Sequence, residues 1–155
     1  MRFLTVVGVL ALAACSSQSD VTPIQLTHDA CEPLALVSAT ATSQQLDGIQ
    51  AAQALWRDRG VPALGLRAGA TLEVRFESAA TAFHGYYDDD EGVIYINTDL
   101  QNDSMLAIVI AHELGHAFGL THVTDRVSLM NPGNLTTTPT AADQAELASL
   151  WGSCD

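Results

Sequence analysis

Apolar positions fall into blocks along the chain, and the spacing within each block predicts a different element. Phe3 to Ala14 is a run of twelve apolar or small residues broken only by Thr5. It is too short to cross a bilayer comfortably and reads as the core of a signal peptide, with Met1-Arg2 as its positive start. Ser16 to about Ala30 is polar and reads as a flexible tether. Leu34 to Val37 predicts a short buried strand. Ser43 to Arg59 follows a helical period, with Leu46, Ile49, Gln53 and Trp56 on one stripe and Gly60 and Pro62 ending it.

Thr71 to Glu77 alternates. Leu72, Val74 and Phe76 fall on one face and Glu73, Arg75 and Glu77 on the other, as in a half-buried strand. Ala82 to Tyr87 predicts another strand, Asp88 to Gly92 a turn, and Val93 to Ile96 a strand after it. From Asp103 to Phe118 the sequence is apolar nearly all round, which places that helix in the core. Asn102, Asp103 and Ser104 are its candidate caps. Residues 123–138 carry loop chemistry. Thr140, with Asp143 three residues on, predicts a capping box for a last helix, Ala141 to Trp151.

A length of 155 residues suits one domain. The pattern divides it into a signal peptide (1–14), a tether beginning at Cys15 (15–30) and a folded domain (31–155). The formal charge of −12 excludes a nucleic-acid backbone as partner and excludes a polybasic membrane patch. A cationic peptide would be drawn in, although acidity at this level serves solubility first.

Leu12-Ala13-Ala14-Cys15 resembles the bacterial lipobox. That resemblance implies cleavage before Cys15, acylation of its thiol, export, and a lipid anchor in a bacterial membrane. Ser16, rather than Asp, after the cysteine implies the outer membrane if the host has two. The domain would then face the periplasm or the exterior. Cys31 and Cys154 remain, an even pair in an oxidising setting, and predict a disulfide.

The stretch richest in chemistry is His112-Glu113-Leu114-Gly115-His116-Ala117-Phe118-Gly119-Leu120-Thr121-His122. Side chains four apart on a helix lie about 40° apart around its axis, so His112 and His116 can grip one ion. Gly119 can adopt a left-handed backbone, ending the helix and turning the chain so that His122 supplies a third nitrogen. Three imidazoles suit Zn²⁺ and leave a fourth position for water, as in a catalytic rather than a structural site. Glu113 adjoins the first ligand with its side chain directed elsewhere, the place for a general base.

These residues resemble the metzincin pattern HExxHxxGxxH, and Ser128-Leu129-Met130-Asn131-Pro132 is similar to the family's Met-turn, with Met130 as its methionine. Leu150-Trp151-Gly152 resembles the close of the last matrixin helix. Val123 follows the third histidine, where the best-known subfamilies carry Ser, Asp, Glu or Pro. No tyrosine follows Met130 closely, and no cysteine-switch segment is found. The resemblance implies an α+β fold: a small twisted mixed sheet on two helices, one of them the active-site helix, then a loop-rich part with the Met-turn and a final helix. It implies a monomeric zinc endopeptidase with one catalytic Zn²⁺, acting on peptide or protein through water at the three-histidine zinc with Glu113 as base. Two other readings stand beside it: a catalytically silent zinc-containing scaffold, and a hydrolase of a non-peptide cell-wall amide. The acidic run Asp88 to Glu91 has hard oxygens suited to Ca²⁺, but it lacks the spacing of a calcium loop and reads first as a solvated turn. His28 and His84 lack ligand spacing and read as structural or solvated.

Overall fold

The computed structural model describes residues 23–66 and 68–154. The proposed signal peptide and Cys15 lie outside them. The order is β1 (Leu34–Val37), α1 (Ser43–Arg57), β2 (Ala70–Glu77), β3 (Gly85–Asp88), β4 (Val93–Asn97), α2 (Asp103–Ala117) and α3 (Ala141–Trp151). The four strands form one mixed sheet in the order β1-β2-β4-β3. β1, β2 and β4 run parallel, and β3 pairs antiparallel with β4 from Gly85↔Ile96 to Asp88↔Val93. This is the α+β architecture expected.

α2 is the centre of the molecule. Leu106 to Gly115 are all buried, as a helix apolar on every side requires. α1 covers one flank, and β3 and β4 cover another. The approach of α1 depends on Gly48, where an added Cβ would lie 2.7 Å from Leu106 Cδ2. Trp56 anchors the same contact. Its ring is fully buried, its indole N–H donates to the Ala111 carbonyl at 2.8 Å, and it meets Phe118 edge-on at 6.0 Å. Leu46, expected on the buried stripe, is instead 42% exposed, because the face turned to α2 runs through Gly48, Ile49, Ala52 and Trp56.

Asn102 caps α2, its side chain accepting the Met105 N–H. Thr140 and Asp143 form the expected capping box of α3. β3 begins later than expected, at Gly85, because Ala80–Phe83 turn instead. The cause is Asn97, a buried side chain that donates to the carbonyls of Ala80 and Phe83 and accepts from the Ala79 and Asp99 N–H groups. Those backbone groups are satisfied without a ladder.

Cys31 and Cys154 are joined in a disulfide across 123 residues of sequence. Closing so long a loop in the unfolded chain contributes about 4–5 kcal/mol in the chain-entropy model. Residues 23–30, expected as part of a flexible tether, are docked on the domain. Ala30 is fully buried, the His28 N–H donates to the Ala117 carbonyl at 2.7 Å, and the Leu26 carbonyl accepts from the Tyr87 hydroxyl at 2.9 Å. Their backbone found partners that composition does not reveal.

Candidate metal centre

The last two turns of α2 carry His112, Glu113 and His116. The helix then ends in a Schellman motif. Gly119, at φ 93°, donates to the His116 carbonyl at 2.8 Å, and Leu120 donates to the Gly115 carbonyl at 2.9 Å. The reversal brings His122 back beneath the helix. Its Nε2 lies 3.2 Å from that of His112 and 3.1 Å from that of His116. Among the described residues, these three are the one group of His, Cys, Asp and Glu placed to hold a metal.

Two backbone carbonyls fix the imidazoles. The Nδ1–H of His112 donates to Leu129 at 2.7 Å, and that of His116 donates to Leu120 at 2.8 Å. A carbonyl can only accept, so each Nδ1 carries the proton and each Nε2 presents a lone pair inward. Converging lone pairs repel unless a cation lies between them. Tetrahedral nitrogens at ordinary zinc bond lengths stand about 3.3 Å apart, close to the separations seen here. The donor set therefore fits Zn²⁺.

Electrostatics favour the metal-binding form. Burial lowers the pKa of His112, and the neighbouring His122 lowers it further. Burial and the charge of His112 bring His116 down to about 4, and burial lowers His122 as well. The neutral imidazole is the ligand, so protons compete with metal only below the usual histidine range. Zinc occupancy should hold from pH 7.5 to about 6 and fall as the pH drops further, when measured by elemental analysis after equilibration. Full occupancy at pH 3, or loss beginning above pH 7, would contradict this.

Glu113 is buried beside the cluster. Burial pushes its pKa up to about 8, opposed by a hydrogen bond from the backbone N–H of Tyr87 in β3. A cation on the histidines would favour the carboxylate again.

Beneath the histidines, Ser128, Leu129 and Met130 form a buried turn. Gly115 makes room for it, since a Cβ there would stand 2.5 Å from the Met130 sulfur. The turn positions ligands through its backbone. Leu129 orients His112, while the Met130 carbonyl accepts the Val123 N–H at 3.1 Å, next to His122.

Over residues 68–150, from the threshold of β2 to the end of α3, the sequence matches the model of the matrixin family. The chain belongs to the matrixin family. No curated protein matches it. The matched span of this matrixin contains the three histidines, Glu113, the buried turn at Met130 and Asp143; β1 and α1 lie outside it.

Asp143 does more in this matrixin than the capping box that sequence reasoning assigned it. Besides capping α3, its carboxylate accepts from the Ser128 hydroxyl and from the Leu129 N–H at 3.1 Å. The last helix is thereby fastened to the turn that aims His112. Burial raises its pKa, but hydrogen bonds from Ser128, Thr140 and Leu129 outweigh that and hold it below the usual value. Asp143→Ala would leave those donors buried without an acceptor. It should cost about 3 kcal/mol by urea denaturation and weaken zinc binding. Unchanged stability and zinc affinity would refute the link.

The site opens into a cleft of about 190 Å³ lined by Ala82–Gly85, Val109, His112, Glu113, His122 and the loop residues Pro132, Asn134 and Leu135. His84, read from sequence as structural or solvated, stands in this lining. Asn134 shapes the same wall, donating to the Ser128 carbonyl at 2.9 Å and accepting from the Thr136 and Thr137 N–H groups. The loop chemistry of residues 123–138 placed a loop there but not its position at the site. His28 lies away from the cluster, against the end of α2. The acidic run Asp88 to Glu91 has protein partners. Asp88 accepts the Asp90 and Glu91 N–H groups within the turn, Asp89 and Asp90 accept from Gln25, and Glu91 accepts from the Tyr95 hydroxyl and pairs with Arg75. Nothing among the described residues supports Ca²⁺ there.

Proposed function

We propose that this matrixin is a zinc endopeptidase that hydrolyses peptide bonds, with His112, His116 and His122 as ligands and Glu113 as general base. The observation that carries it is the convergence of three histidine Nε2 atoms beside the buried Glu113 carboxyl, in a cleft bordered by the sheet-edge strand β3. An edge strand leaves backbone N–H and C=O groups without a strand partner on its outer side, and an extended peptide can pair along those that Glu113 does not take. Bound Zn²⁺ supplies a Lewis acid that polarises the scissile carbonyl and acidifies water. The Glu113 carboxylate accepts the proton from the attacking water and passes it to the departing amine. The Leu129 and Leu120 carbonyls hold the His112 and His116 imidazoles in the ligand tautomer.

A purified, zinc-loaded sample incubated with a mixed peptide pool should cut internal peptide bonds, read by mass spectrometry. The scaffold reading would be favoured by full zinc occupancy with no cleavage. The cell-wall reading would be favoured by release of non-peptide amide products alone.

The same reading makes the protein an exported monomer anchored through lipid on Cys15. From Cys15 to Pro23 the chain can reach at most about 28 Å, which would keep the cleft near the membrane surface. Stable anchoring needs more than one acyl chain. Mass spectrometry of the mature protein should find the sequence beginning at a lipid-modified Cys15. An unmodified Cys15, or a retained signal peptide, would remove the anchor.

A further inference from the structure

A second space of about 340 Å³ opens on the far side of the metal centre. Gly85, Tyr86, Tyr87, Asp89, Glu113, His116 and His122 line it, and so do Pro23, Ile24 and Gln25. Gly85, Glu113 and His122 border both spaces, so a single cleft follows β3 past the histidines. One end is built by Val109 and Leu135, the other by the segment that leads into the domain.

That segment is pinned at several points. The Gln25 N–H donates to the Asp89 carboxylate, and its amide donates to Asp90 at 2.8 Å. Tyr87 donates to the Leu26 carbonyl. Leu26 packs on Gly92, where an added Cβ would lie 2.5 Å from its Cδ2. His28 is tied to the end of α2, and Cys31 to Cys154. Pinned on the β3–β4 turn and on α2, the segment cannot swing away without breaking these contacts. It also lies outside the span matched by the family, which begins at residue 68.

We infer that Pro23–Gln25 is a wall of the substrate cleft, and that Ile24 helps select the substrate residues on one side of the scissile bond. This rests on the endopeptidase reading above. A side chain lining one end of the cleft meets only the part of the peptide that lies there. A charge placed on it should therefore move preference at those positions and leave the other side alone.

The test uses the full-length chain with Ile24→Glu, Ile24→Arg and Ile24→Ala, each checked for an unchanged melting temperature. Cleavage of peptide libraries varied on each side of the scissile bond should show opposite shifts. Ile24→Glu should favour Lys and Arg, and Ile24→Arg should favour Asp and Glu, by roughly two- to fivefold in kcat/KM, on one side only. Dissociation constants for basic and acidic peptides, measured in a Glu113→Gln background where the peptides stay intact, should shift the same way. Unchanged profiles, or one uniform change in rate for every peptide, would overturn the inference and leave the protease reading standing. Absence of cleavage by the unsubstituted protein would overturn both.

Discussion

Glu113→Gln should retain its zinc and its fold and lose peptide hydrolysis by about 10²–10⁴-fold. The substitution conserves shape and touches none of the three histidines. Its amide can still accept from the Tyr87 N–H through oxygen, so the contact between α2 and β3 survives. The amide cannot take a proton from the attacking water. Burial pushes this carboxyl up to about 8, so in the metal-free protein near neutral pH it stands largely as the neutral acid, which the neutral amide replaces at little cost to stability. Zinc by elemental analysis, urea midpoint and turnover on one sample decide the matter. A Glu113→Gln variant that keeps zinc and cleaves at the original rate would show that the proton leaves by another route.

His116→Ala should fail differently, losing metal and activity together. His116 is one of three nitrogen donors, and its ring is held in place by the Leu120 carbonyl. Losing only an outer partner of a ligand typically costs about 10–100-fold in metal affinity, and losing the ligand should cost well beyond that. Added zinc should restore little activity, because two nitrogens cannot hold the ion in the same geometry. A variant that binds zinc with unchanged affinity would mean that His116 is not a ligand. The contrast with Glu113→Gln separates a group that holds the metal from one that moves a proton.

Much of this site was legible because its parts are close in sequence. His112 and His116 share a helical face, and Gly119 supplies the reversal that carries His122 back within one loop. Thr140 and Asp143 announced a helix start by their spacing alone. The apolar surround of residues 103–118 placed α2 in the core for the same local reason. What was not legible depends on partners far along the chain, where no period applies. Asn97 reaches back to residues 79–83 and displaces the start of β3. Asp143 reaches back to Ser128 and Leu129. The placement of His84 at the cleft follows from the turn that Asn97 imposes. The docking of Gln25 on Asp89 and Asp90 spans more than sixty residues, and its polar composition suggested only a tether.

On the proposed function, one zinc ion held by His112, His116 and His122 carries the peptidase activity of this matrixin, and a titration tests it. Zinc is stripped from the purified protein with a chelator and returned in measured amounts, while peptide cleavage is followed at each step. The rate should vanish on stripping and rise in proportion to bound zinc, reaching a plateau at one ion per chain. Cleavage that survives complete removal of zinc, or a fully loaded protein that cleaves no peptide, would contradict it.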